Sequence, residues 1–446
     1  MKRCFFVWCM LCVLGAFSLS LAESVAITLD QAIEYTRIHS PLLKSTALNA
    51  DKADLQIWQS FANFLPQAGF NGFRTYNHEL GEIVFKMGSS VNRVKMGTDN
   101  NLGGSLRVTQ NLFAGGAIWS AYQMSRLNLK VQSEAFANQT HQLLYAVRAA
   151  YYQILLLDRL KNVQIEALNR ARENLRIIMV LYEAGGASEY EKLRAQVEVS
   201  NLEPQLMAIQ ANNENSRQDL KRIMGINLDD SLILLDTLNI QPPDPELPIN
   251  DLAALKKIAL DLRPDLQQIY WQKKIADYGV KLSFSNYLPK LSYTWQKSVQ
   301  ANADEMKTFH IPAGDWVNSS SSTFNITIPI FTGFKNTATW LESRKNREQI
   351  SYLLEDKERQ VLTQVEQAQR SYLLSRSILD SYTKNLQQAR EGYRLANLLF
   401  GQKGISQLDL ITSQLALTQA ETQFLQGLVE YNLSYFQLVL NLGKED

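Results

Sequence analysis

Two short stretches place an acid three residues after a serine: Ser188-x-x-Glu191 and Ser406-x-x-Asp409. At that spacing the serine hydroxyl accepts from the third backbone N–H of a helix, while the acid reaches back to the serine's own N–H. The chemistry is helix capping, with a negative charge held at each N-terminus. Other reactive side chains assemble into nothing familiar. Cys4, Cys9 and Cys12 all lie in the first dozen residues, which excludes a disulfide scaffold or a cysteine nucleophile further along. His39, His78, His141 and His310 lack metal-ligand spacing. There is no Gly-rich phosphate loop, nucleophile elbow or His-Glu-x-x-His helix. No cofactor, metal or enzymatic activity is expected. With 45 Lys+Arg against 44 Asp+Glu and no long run of one sign, a nucleic-acid partner is not expected either.

The elements that position the two acids are long. After Gly116 no proline or glycine occurs until Gly185, so residues 117–182 read as one helix of about 99 Å. Residues 335–400 give a second of the same length. Residues 189–224 and 407–442 return as helices of about 54 Å, and 41–64 and 264–287 would add about 36 Å each. Leu408, Ile411, Leu415, Leu425 and Val429 form a broken a/d stripe on the last helix, as helices packed side by side require.

These elements occur twice. Ser40-Pro41-Leu42 and Arg263-Pro264-Asp265 are 223 positions apart, as are Phe64-Leu65-Pro66 and Tyr287-Leu288-Pro289. Leu112-Phe113-Ala114-Gly115 matches Ile330-Phe331-Thr332-Gly333 at 218, and Gly186/Gly404, Ser188/Ser406 and Gly225/Gly443 keep that offset. The chain is an internal duplication. Residues 23–225 form the first repeat and 261–446 the second, joined by a proline-broken connector over 226–260. Residues 1–22 read as a cleaved signal peptide: Lys2-Arg3, thirteen apolar residues and Ser20-Leu21-Ala22.

Between the helices lie four strands, at about 68–77, 102–112, 290–298 and 323–330. Leu102, Leu106 and Val108 alternate with Ser105, Arg107, Thr109 and Asn111, the pattern of a strand between lipid and water. Ser105, Arg107, Thr109 and Asn111 are therefore assigned to the pore and Leu106 to outer-membrane lipid. Polar loops of roughly 25 residues, 78–101 and 299–322, join each pair. Four strands cannot close a barrel, and an open edge is not tolerated in lipid. Copies of the chain must complete it: two give eight strands, three give twelve and room for a pore.

The duplication, the Ser-Pro-Leu and Arg-Pro-Asp-Leu helix starts, and the Leu-Phe-Ala-Gly-Gly and Ile-Phe-Thr-Gly-Phe turns resemble the TolC family of outer-membrane efflux proteins. The resemblance implies a mainly α protein with a transmembrane β-barrel, in which a homotrimer builds a twelve-strand β-barrel on a twelve-helix α-barrel. It implies an exit duct in the bacterial outer membrane with a long periplasmic extension, and an equatorial collar from residues 25–38, 226–260 and the C-terminal tail. Its partners would be a periplasmic adaptor and an inner-membrane pump of the RND or ABC type. A periplasmic coiled-coil adaptor or structural protein with no channel is the alternative.

The family's hairpin tips usually read Tyr-x-x-Gly-x-x-Ser-x-x-Asp. The first tip here has Tyr182, Gly185, Gly186, Ser188 and Glu191; the second has Phe400, Lys403, Gly404, Ser406 and Asp409. Gly185 and Gly404 are expected to reverse the chain with positive φ. The resemblance assigns Asp409, Glu191, Tyr182 and Phe400 to the periplasmic aperture. Gly185, Gly186, Ser188, Lys403, Gly404 and Ser406 then form the tips that meet the adaptor. Rings of Glu191 and Asp409 about a threefold axis would select cations.

Overall fold

A computed structural model describes residues 24–241, 244–304, 316–402 and 404–444; the expected signal segment, Lys403 and His310 lie outside them. The chain divides into two compact units, and the longest helices run through both.

The first unit comprises residues 1–46, 136–264 and 359–446. It contains β1 (Ser24–Ile27), α1 (Leu29–His39), most of α3 (Ala117–Glu183), α4 (Glu189–Met224), β6 (Ser231–Leu234), α5 (Leu252–Leu262), most of α7 (Lys335–Gly401) and α8 (Gln407–Leu442). The helices α3, α4, α7 and α8 end where sequence places them, to within a residue. Leu438, Leu442, Val361 and Val365 are fully buried, each such side chain contributing about 1.5–3 kcal/mol. Thr28 and Gln31 complete the capping box of α1. A short parallel pair, β1 with β6, falls in the expected collar region.

The duplicated landmarks are contact points. Gly225 and Gly443 cap α4 and α8 in the left-handed conformation, at φ +79° and +74°. A Cβ on Gly225 would lie 2.9 Å from Pro41 Cδ, and one on Gly443 would lie 2.7 Å from Arg263 Cα. Each repeat thus seats its C-terminal glycine on its own X-Pro turn. The helix α5 stands 223 residues after α1 over its whole length. The second repeat therefore begins with α5, inside the span read from sequence as connector. Ahead of α5, the connector lies along α8: Asn432 Oδ1 accepts from Gln241 N at 2.9 Å, and Tyr435 Oη accepts from Asp244 N at 3.0 Å.

The second unit comprises residues 47–135 and 265–358. It holds most of α2 (Pro41–Phe61) and α6 (Pro264–Phe284), each followed by one 3-10 turn, and the strands β2 (Gln67–Tyr76), β3 (Gly81–Met87), β4 (Ser90–Met96), β5 (Asn100–Phe113), β7 (Lys290–Ala303) and β8 (Trp316–Thr327). The antiparallel order is β2-β5-β7-β8, so β2 and β8 are edges.

Three expectations need correction here. Residues 78–101 are not a plain polar loop, because β3 and β4 form a hairpin within them, rooted by Asn77 N donating to Asp99 O at 2.7 Å. Strand β7 continues to Ala303. Strand β8 starts at Trp316 and stops at Thr327, short of residue 330, because Pro329 has no N–H to offer a ladder.

Candidate functional site

Two places carry the candidate chemistry, one in each unit: the hairpin tips of the first and the four-stranded sheet of the second.

At the first tip, α3 ends at Glu183 and Gly185 turns the chain at φ +75°. Gly186 N donates to Leu181 O at 2.7 Å. Ser188 then caps α4, its hydroxyl accepting from Glu191 N at 3.2 Å, while Glu191 Oε2 accepts from Ser188 N at 2.7 Å and from its hydroxyl at 2.9 Å. The second tip repeats this. Gly404 N donates to Leu399 O at 2.8 Å, and Asp409 Oδ2 accepts from Ser406 N at 3.1 Å and from its hydroxyl at 2.7 Å. By the 218 offset Gly404 stands where Gly186 does, and the equivalent of Gly185 is Lys403. The chain-reversing role assigned to Gly404 from sequence is therefore corrected: a Cβ there would sit 3.4 Å from Leu399 O, and Gly404 is not among the glycines with positive φ.

Asp409 is exposed, Glu191 is half-buried, and both cap. The Ser188 backbone N–H, then its hydroxyl, holds the Glu191 carboxyl below the usual range. For Asp409 the Ser406 hydroxyl contributes most, then the backbone N–H. Asp409, one methylene shorter, folds back onto its serine just as Glu191 does.

The aromatic positions differ. Lys192 Nζ lies 4.2 Å from the Tyr182 ring centroid, a cation–π contact within the first tip. Phe400 has no hydroxyl, and Leu410 occupies the position equivalent to Lys192.

Sequence reasoning missed the ties between the two hairpins. Buried Gln407 donates its Nε2 to Glu191 O at 3.2 Å, so the first residue of α8 is fastened to the first turn of α4. Further along, Arg170 of α3 donates to Thr418 Oγ1 of α8 at 3.2 Å and lies over the Tyr393 ring of α7. Glu421 is half-buried beside it; desolvation pushes its carboxyl up, against the pull of Arg170 and Arg390. Periodicity cannot signal such polar contacts in advance.

In the sheet, pairing register decides which residues share a face. Arg107 stands opposite Gln296 and Gly69, and donates Nε and Nη2 to Gln296 Oε1 at 3.1 and 2.9 Å. Ser105 pairs with Ser298, Thr109 with Thr294 and Asn111 with Ser292, so the predicted pore residues do share one polar face. On the opposite face Leu106 stands with Phe70, and Val108 with Trp295. That face is not uniformly apolar. Lys297 lies directly opposite Leu106, and Arg74 opposite Leu102. Phe73 is the large apolar intruder on the polar face, which accounts for the broken alternation of β2. No helix among the described residues is long and apolar enough to cross a membrane.

Long paired helices in duplicate, with a two-faced antiparallel sheet, are the architecture of TolC-like channels. The chain belongs to the outer membrane efflux protein family, whose profile matches residues 32–226 and 255–444. The second match starts within α5, in keeping with a repeat that begins there. Among curated relatives, outer membrane protein TolC of Escherichia coli strain K12 is 21% identical over 444 residues, covering 96% of this chain and 84% of TolC. The alkaline protease secretion protein AprF of Pseudomonas aeruginosa is 21% identical over 344 residues, covering 77% of this chain and 69% of AprF. Among solved structures, CusC superposes with a TM-score of 0.78 at 16% identity, covering 94% of this chain and 92% of CusC. The CmeC outer membrane channel of Campylobacter jejuni gives 0.78 at 16% identity, covering 96% and 90%. At these identities the solved structures speak for the fold alone.

Proposed function

We propose that three copies of this chain form an exit duct through the outer membrane, passive in itself, which receives its cargo from an inner-membrane pump through a periplasmic adaptor. The observation that carries this is the sheet. It has one largely apolar face, one polar face and two unpaired edges, and lipid tolerates strands only in a closed barrel. Three copies supply twelve strands and a lumen lined by the polar face, with Arg107 as a cationic ring. The helices extend into the periplasm, and the hairpin tips meet the adaptor there. Glu191 and Asp409 ring the aperture, near Tyr182 and Phe400, and repel anions while holding cations. The adaptor alternative needs one helical hairpin, whereas this chain has two. The pump is of the RND or ABC type, and cargo choice lies with it.

Purified protein in planar bilayers tests this. The parent channel should conduct and favour cations, and Asp409→Asn should weaken both cation selectivity and block by multivalent cations while leaving the trimer intact. Glu191→Gln should act in the same direction. Unchanged selectivity in Asp409→Asn would show that Asp409 only caps its helix; a protein that never conducts would remove the duct itself.

A further inference from the structure

Within one chain, the first repeat meets the second along β5 and β7. Just beyond β5, Gly115 turns at φ +61° against the second repeat, where a Cβ would lie 2.8 Å from Leu288 Cβ and 2.9 Å from Ser285 O. The equivalent of Gly115 is Gly333, at φ +59°, and nothing lies within 4 Å of a Cβ built there. The equivalents of Ser285 and Leu288 are Ala62 and Leu65, and Leu65 is 49% exposed. The neighbours of the second turn are also barer: Ile330 and Phe331 are 94% and 76% exposed, against 50% each for Leu112 and Phe113. One half of a joint is thus made within the chain, and its twin is open at both ends.

From this we infer, on the basis of the trimeric duct proposed above, that the seam between copies repeats the seam between repeats, residue for residue. Strand β8 of one copy pairs with β2 of the next in the register that β5 and β7 already show. Carrying β5 residues forward by 218 and β7 residues back by 223 converts the observed pair Leu106–Lys297 into Phe324 opposite Arg74 of the next copy. Likewise Arg107–Gln296 becomes Asn325 opposite Phe73, and Val108–Trp295 becomes Ile326 opposite Gly72. Gly333 then seats on Leu65 and Ala62 of the next copy, as Gly115 seats on Leu288 and Ser285.

The transferred register passes a check that it could have failed. A strand slipped by one residue turns every side chain to the wrong face. In the observed ladders Phe324 shares its face with Tyr293, on the apolar side, and Arg74 shares its face with Leu102, on that same side. Asn325 and Phe73 both belong to the polar side with Ser292 and Gly103. Each inherited pair therefore joins like faces, and the two faces of the sheet continue across the seam. Arg74 and Lys297, the two cations on the lipid side, are themselves equivalent at an offset of 223. In the inherited register Arg74 lies beside Phe324, where its long stem can cover apolar surface while its head reaches outward.

Introduced cysteines test the register, because no cysteine follows Cys12. Neighbouring pairs in an antiparallel ladder alternate between wide and narrow Cα spacing, so two consecutive pairs are needed to include one that is close enough to oxidise. Phe324→Cys with Arg74→Cys and Asn325→Cys with Phe73→Cys are the two on-register pairs. Phe324→Cys with Gly72→Cys or with Tyr76→Cys are the slipped controls. Under mild oxidation of detergent-extracted protein, at least one on-register pair should give covalent trimer at least tenfold faster than either control. Faster cross-linking of a slipped pair, in protein whose mass in detergent is still that of three chains, would overturn the register and leave the duct standing. A single-chain mass in every variant and in the parent would remove the trimer and the register together.

Discussion

The two hairpin tips are copies of one device that keep its frame and differ around it. Both close with the same backbone bond, Gly186 to Leu181 and Gly404 to Leu399, and both start their returning helix with a serine and a carboxylate locked to each other. What differs is the surface around that frame. The first tip pairs Lys192 with Tyr182, whereas the second offers Phe400 and Leu410 at the same places. Capping is fixed because a bare helix end leaves N–H groups unsatisfied. The surrounding side chains are free to change because nothing in the frame depends on them. The sheet shows the same division, with its register held while Phe73 and Lys297 depart from the expected face chemistry.

The largest effect should come from breaking the division between faces in the sheet. Leu106→Arg adds a charge beside Lys297 on the apolar side and should cost about 2–4 kcal/mol if it lies near the bilayer midplane. Arg107→Ser, one residue away, removes only the bonds to Gln296 and should leave assembly intact. Urea unfolding in detergent, read by loss of heat-modifiable migration on gels, separates the two. Equal damage would mean that the faces are assigned wrongly.

A smaller effect is expected where each repeat closes on its own X-Pro turn. Gly443→Ala combines φ +74° with a Cβ 2.7 Å from Arg263 Cα, a backbone atom that cannot swing aside. It should cost about 1–3 kcal/mol, seen as a lowered Tm. Gly333→Ala in a chain kept monomeric meets open space and should lower Tm less. Smaller still is the loss of a cap. Ser406→Ala and Ser188→Ala should each cost about 1 kcal/mol, and by similar amounts, since the two boxes are built alike. The pH dependence has a definite sign. Both carboxyls are held below their ordinary values of 3.8 and 4.5, so their contribution is present above that range and is lost as pH falls below it. A cap series whose difference from the parent persists unchanged at lower pH would contradict the capping geometry.

Much of this was legible in the residues. Helix ends were plain because proline and glycine are missing from 117–184 and return at the tips, and Ser188 and Ser406 announce their own caps. The faces of β5 were legible because Leu106, Arg107 and Val108 alternate cleanly. Other features lacked a signal. The first half of β8 contains Asn318-Ser319-Ser320-Ser321-Ser322, and a serine run carries no period of two. Strands β1 and β6 are four residues each, too short to show a pattern. The hairpin of β3 and β4 did offer one, since Gly88-Ser89 between alternating residues is a two-residue turn signature, and Gly88 has φ +61°. Gln407 could not be singled out: a glutamine at the first position of a helix is usually solvated, and only the packing of α8 against α4 gives it Glu191 O to bind.

The most direct test of the central claim is the mass of the protein extracted from outer membranes into mild detergent. Three chains are expected, stable until heated, because each chain alone leaves β2 and β8 with unpaired backbone groups facing lipid. A folded, membrane-inserted single chain would contradict the claim, since a four-stranded sheet with open edges would then have to survive in the bilayer.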